Sequence, residues 1–149
     1  MLLIILLGSL LLPSPVQTTA APPAGSQAPA ATPAPIALPD TPAGRALGEF
    51  VASFNAGGDK RRAFLEERTT LEKEQAAGIL GQDTEILGEH GAVQVVRVPT
   101  QSATGLTAIL RHEKSGAHGH LTLAIEAKAP HRVSNMQLRA ATPEEVAGK

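Results

Sequence analysis

The residues that most constrain this chain are Leu121, Leu123, Ile125 and Ala127, which alternate with Thr122, Ala124, Glu126 and Lys128. Successive side chains of an extended strand point to opposite faces, so this alternation predicts a half-buried strand following His118-Gly119-His120. It has candidate partners on both sides and reads as a central strand. Upstream, Leu106, Ala108 and Leu110 alternate with Thr107, Ile109 and Arg111. A hairpin closed by Lys114-Ser115-Gly116-Ala117 sets Leu110 opposite Leu121, Ala108 opposite Leu123 and Leu106 opposite Ile125. A slip of one residue would put apolar against polar faces, which favours this register. Downstream, a two-residue turn at Ala129-Pro130 sets Leu123 opposite Met136 and Leu121 opposite Leu138. A fourth strand, Val93 to Val98, ends before Pro99 and pairs through Val96 and Val98 with Ala108 and Leu106. The expectation is a four-stranded antiparallel meander over roughly residues 92–140.

Charge and proline divide the chain near residue 40. All 13 basic and 14 acidic residues lie at or after Asp40, and nine of the 12 prolines fall between Pro13 and Pro42. Met1 to Leu12 is apolar except for Gly8 and Ser9, too short for a comfortable bilayer span but suited to the apolar part of a signal peptide. Thr18-Thr19-Ala20 offers the small residues of a cleavage site. The expectation is a signal peptide over 1–20, secretion or periplasmic export, and no membrane span after cleavage. No Lys or Arg precedes Arg45, so an uncleaved anchor or a start codon farther upstream competes with that reading. Residues 21–39, rich in Ala and Pro and without charge, bury too little apolar area to offset their ordering entropy and read as a spacer. A net charge of −1 and the absence of Trp and Tyr argue against nucleic-acid binding. The absence of Cys excludes disulfides and a thiolate nucleophile.

The folded part, 40–142, opens with Thr41 as a helix cap and Pro42 in the first turn. Ala43, Leu47, Phe50, Val51 and Phe54 recur at helical spacing. Asn55-Ala56-Gly57-Gly58 ends that helix, and Asp59 caps the next, about 59–68, which carries Ala63, Phe64 and Leu65 inward. Leu71 to Glu89 reads as a third helix weakened by Gly78, Gly81 and Gly88. Within it, Gly81-Gln82-Asp83 is expected to break the helix with Asp83 capping a second piece. A buried Asp83 acting as a base is the competing reading. Residues 143–149 read as a tail.

Three helices followed by a meander resemble the α+β cone of the NTF2-like (SnoaL-like, cystatin-like) fold, with N-terminal helices packed on a curved antiparallel sheet. Pro39-Asp40-Thr41-Pro42-Ala43-Gly44-Arg45 with FVASFNAGGD (50–59) resembles the opening of a domain found ahead of β-lactamase-like or tail-specific-protease-like catalytic domains in secreted bacterial serine hydrolases. Ser115-Gly116, LTLAIE (121–126), Pro130-His131-Arg132-Val133 and Met136-Gln137-Leu138-Arg139 are similar to its close. The resemblance covers about residues 40–142 and implies an accessory domain with no catalytic residues to carry over. Two departures stand out. The aromatic expected after Ser115-Gly116 is missing, with His118 nearby, and no hydrolase domain follows before Lys149.

The chain contains no Ser-x-x-Lys, no Gly-x-Ser-x-Gly, no phosphate-binding glycine loop and no His-Glu-x-x-His. Without Tyr, an isomerase-like site reduces to His and carboxylates. His112, in phase with Leu110, is the best pocket titrating group, expected to be partly buried and hydrogen-bonded. His118 and His120 share a strand face, as metal ligands can. The hairpin register places them opposite Glu113 and Arg111, where they read as solvated side chains. His131 and Arg132 read as exposed turn residues. No metal or cofactor is therefore expected. The leading expectation is a non-catalytic domain binding a serine hydrolase domain or a small apolar ligand. Its candidate pocket comprises Phe50, Phe54, Phe64, Leu110, His112, Leu121, Leu123 and Met136. The bland reading of the same phenylalanines is a helical lid packed onto the sheet. The alternatives are a SnoaL-like isomerase, cyclase or hydratase using His112 and Asp83, and the front segment of a serine hydrolase. A sheet-to-sheet homodimer through Ile109 and Val95 is an expectation from analogy alone.

Overall fold

A computed structural model of the chain describes residues 36–148. The signal peptide expected over 1–20 and the spacer up to residue 35 lie outside the described residues. The order of elements is α1 (Pro42–Ala56), α2 (Gly58–Arg68), α3 (Lys73–His90), β1 (Val93–Gln101), β2 (Gly105–His112), β3 (His118–Ile125), β4 (Val133–Ala140) and α4 (Pro143–Ala147). The four strands form one open antiparallel sheet in sequence order, and α1 packs across β1, β2 and β3. The architecture is α+β, as the patterning predicts.

α1 starts as expected. Thr41 Oγ1 accepts the Gly44 N–H at 3.0 Å, which satisfies one of the helix's free donors. Gly44 is required there, because a Cβ would stand 1.9 Å from the Pro39 carbonyl oxygen. The helix buries Ala43, Ala46, Leu47, Phe50 and Phe54. Asn55 then brackets the start of β1: its Nδ2 donates to the Val93 carbonyl at 2.9 Å and its Oδ1 accepts the Val93 N–H at 2.8 Å.

Several expected details are corrected. Gly57, at φ 60°, caps α2 without a side-chain bond, so Asp59 sits in the first turn instead of capping. Ala63 is exposed, and Arg61 takes the inward place beside Phe64 and Leu65. α3 runs unbroken through Gly81, with Asp83 buried mid-helix. Its start is fixed by a capping box between Glu72 and Gln75. Gly78, Gly81 and Gly88 have open space around them, and their cost of about 1 kcal/mol each is met by burial of the other face. The tail holds a short helix, α4, capped by Thr142 with Pro143 in its first turn.

The sheet keeps the expected faces but not the expected β2–β3 register. Leu110 lies opposite Gly119, Ala108 opposite Leu121 and Leu106 opposite Leu123, two residues from the expected pairing. A two-residue displacement preserves side-chain parity, so the apolar face survives. Its cause is the turn. His112 donates its N–H to Ala117, while the Glu113 and Lys114 N–H groups go to the Ala92 and His90 carbonyls, so pairing stops at His112. His118 therefore faces Arg111 and His120 faces Ile109, not Glu113 and Arg111. Leu123–Met136 and Leu121–Leu138 pair as expected. Their connection is longer than two residues: Glu126 donates to the Arg132 carbonyl around a loop containing a cis Ala129-Pro130 peptide. β1 runs through Pro99 and pairs Val95 with Leu110 and Arg97 with Ile109, with two register shifts. Val96 and Val98 thus miss their expected partners, and Pro99 is tolerated because β1 is an edge strand.

Candidate functional site

The space expected to be an apolar pocket is filled by side chains. Phe50, Phe54, Leu110, Leu121 and Leu123 are at most 1% exposed, Phe64 is 5% exposed, and Met136 packs against them. Through their midst runs Arg61, itself 1% exposed. Its guanidinium carbon lies 4.5, 5.7 and 5.1 Å from the ring centroids of Phe50, Phe54 and Phe64. All three aromatic residues of the chain thus surround one cation. Arg61 Nε donates to Asp83 Oδ2 at 2.7 Å, Nη1 to Ser53 Oγ at 3.1 Å, and Nη2 approaches Met136 Sδ at 4.0 Å. Burial raises the Asp83 pKa and lowers that of Arg61, in both cases against the attraction of the partner. Asp83 is therefore buried, as the sharper expectation had it, with its carboxylate committed to Arg61.

His112 lies elsewhere, at the end of the sheet beside the C-terminus of α3. It is 6% exposed, and its Nδ1 stands 3.4 Å from the Gly91 carbonyl oxygen. Its ring meets Phe54 edge-on at 6.5 Å and His90 at 5.3 Å between centroids. The His90 carbonyl accepts the N–H groups of Lys114 and Ser115, which draws the β2–β3 turn onto the helix end and with it His112 and His118. Together, Ile86, His90, His112, Ala117, His118, Gly119 and the Leu138–Ala140 segment line a hollow of about 300 Å³. Three of the chain's five histidines meet there, and the His90 Nδ1 is buried without a hydrogen-bond partner. Its Nε2 lies 3.8 Å from Glu89 Oε2. Burial pushes the His112 pKa down; the Gly91 carbonyl opposes this, and His90 and His118 add to it. Its surroundings thus favour the neutral imidazole over the charged one. It shares no hydrogen bond and no described hollow with Asp83, so the acid/base pair suggested from sequence is not brought together.

On the opposite face of the sheet, His120 is half-buried, 3.7 Å from Glu145 Oε1. Arg139 grips Glu145 through both η nitrogens, at 2.9 and 2.5 Å. That bond, with the Thr142 N–H, holds the Glu145 carboxyl down at about 2. A cleft of about 530 Å³ runs from Arg97 and Pro99 past Ile109 to Glu145 and Gly148. Ile109 is 1% exposed and Val95 packs against the core, so the two do not share the face proposed for a homodimer. Arg132 is half-buried and donates to the Thr69 carbonyl, and His131 Nδ1 lies 3.0 Å from the Glu126 carbonyl; neither is a free turn residue.

No protein-family model, curated protein or solved structure matches the chain. Among the described residues no helix is long and apolar enough to cross a membrane, and no group of three or more His, Asp and Glu side chains is placed to hold a metal ion. Sequence reasoning missed His90, Arg61 and Glu145. Glu145 carried a signal, since Thr142-Pro143-Glu144-Glu145 is a capping box with proline at the first helical position. His90 and Arg61 carried none of comparable strength.

Proposed function

We propose that this chain is an exported, non-catalytic binding domain, similar in role to the accessory domains of secreted bacterial serine hydrolases. Its ligand or partner would be held at the histidine-lined end of the sheet. Export rests on the apolar leader and the Ala/Pro-rich spacer read from sequence. The observation that carries the binding reading is the hollow itself: a nine-tenths-buried His112 and an unpartnered His90 nitrogen line an opening of about 300 Å³. The interior beneath the helices is taken up by Arg61 and its three phenylalanines, which disfavours a ligand inside the cone. The enzyme alternative loses its acid/base pair, because Asp83 serves Arg61 and His112 lies apart.

Native mass spectrometry of the protein recovered from its own host tests this reading. The expected species starts near Ala21 and carries a bound small ligand or a hydrolase subunit, and His112→Asn releases a small ligand. Recovery only from the cytoplasm with Met1 retained would overturn export. A bare monomer under gentle conditions would overturn binding.

A further inference from the structure

We infer that His90 and His112 form the core of a site for one divalent transition-metal ion of the zinc–nickel–copper class, in a hollow that His118 also lines. This deepens the reading of the hollow as a binding site and rests on it.

Spacing is the first argument. With metal–nitrogen distances of about 2.0–2.1 Å and a tetrahedral angle, two imidazoles on one ion stand roughly 5 Å apart, centroid to centroid. The His90 and His112 rings are 5.3 Å apart.

The second argument is which nitrogen each ring leaves open. Metal-bound histidines characteristically give their other N–H to a carbonyl or carboxylate, which fixes the tautomer. His112 has Nδ1 at the Gly91 carbonyl, 3.4 Å away, so its lone pair resides on Nε2. His90 Nε2 lies 3.8 Å from the Glu89 carboxylate, beyond hydrogen-bond reach, and its Nδ1 is buried with no partner. His112 thus has an acceptor beside Nδ1 and an open Nε2, and His90 has a buried Nδ1 that no protein group engages. A buried polar atom without a partner is rare enough to need an explanation, and an ion is one.

Charge and ligand type then select the ion. Arg139 lines the hollow, but its guanidinium is bound by the Glu145 carboxylate, which offsets its repulsion of a cation. Imidazole nitrogens suit zinc, nickel and copper and not magnesium or calcium, which demand oxygen ligands. His118 lines the same hollow from the first position of β3. The remaining coordination positions fall to water.

The test is calorimetric titration of the tag-free full chain with ZnCl₂, NiCl₂ and MgCl₂, alongside NMR of the histidine side chains. The expected result is one saturable Zn²⁺ or Ni²⁺ per chain and none for Mg²⁺, with Ni²⁺ broadening the His90 and His112 resonances. His90→Asn, at a partly exposed position, should weaken binding at least tenfold without changing the urea midpoint. His112→Asn should do the same if the chain remains folded, and His131→Asn should leave affinity unchanged. No saturable binding at millimolar ion, or equal binding by His90→Asn, would overturn the inference. If metal fails to bind while native mass spectrometry finds an organic ligand released by His112→Asn, the metal inference falls and the binding reading stands. If neither ion nor ligand binds, both fall.

Discussion

Arg61–Asp83 and Arg139–Glu145 are both arginine–carboxylate pairs, with closest contacts of 2.7 and 2.5 Å. Their surroundings differ completely. The side chains of the first are 1% and 11% exposed, those of the second 47% and 28%. Around Arg61, three phenylalanine rings exclude water, so each charge depends on its partner. Breaking such a pair leaves a buried charge uncompensated, at about 3–5 kcal/mol. Around Arg139, water takes over whatever Glu145 gives up. Similar distances therefore carry different energies, because desolvation and not contact length sets the scale.

The largest effect that would break this comparison is on the buried side. Asp83→Ala should destabilise the fold by about 3–5 kcal/mol in urea unfolding. Adding Arg61→Met should restore much of that loss, since an apolar pair has no charge to strand. A single-variant cost near zero would mean that water reaches the guanidinium. Phe64→Leu keeps most of the apolar volume and removes one ring from the cage. It should cost about 1–2 kcal/mol, and less when measured in an Arg61→Met background, because the cation it faces has gone.

A third test uses pH at the histidine hollow. His112 has a pKa below its ordinary value of 6.5 in the folded state, faced by His90 from α3, His118 from β3, Phe54 from α1 and the Gly91 carbonyl. Above about pH 6.5 both folded and unfolded states hold it neutral, so its contribution is complete. As pH falls below that value the unfolded chain takes up the proton first, and stability declines. His112→Asn should flatten this decline between pH 7 and 5.5 in thermal melts. An unchanged slope would assign it to other groups.

The smallest effect belongs to the exposed pair. Glu145→Gln should leave the urea midpoint within replicate scatter. Its influence is local: Glu145 is held at about 2 against an ordinary 4.5, so docking of α4 is favoured above pH 4.5 and lost as pH falls toward 2. Amide exchange in residues 143–148 reads this directly. A global loss of stability in Glu145→Gln would erase the contrast with Asp83.

Much of the scaffold was legible in sequence. The Thr41-Pro42 start of α1, the Asn55–Gly58 stop and the inward faces of β2, β3 and β4 all follow from caps and period-two alternation, which act over a few residues. The four-residue turn between β2 and β3 was not, because parity excludes slips of one residue but is blind to slips of two. Arg61 was not legible either. Helical spacing puts Arg61 in phase with Phe64 and Leu65, but an arginine on an apolar helix face ordinarily reaches out to solvent, and nothing local names the partner that lets this one stay buried. Its partner Asp83 comes from another helix, and Asp83 itself read as a helix break because of Gly81.

The α+β class, the helix ends and the side of the sheet that is buried were decided by patterns repeating every two or four residues, and such patterns need no knowledge of distant contacts. The meeting of His90, His112 and His118, and the enclosure of Arg61 by Phe50, Phe54 and Phe64, were decided only by the tertiary structure. Both depend on how the β2–β3 turn seats on the end of α3 and how α2 lies between α1 and α3, which are long-range packing choices set by desolvation and by where backbone donors find acceptors.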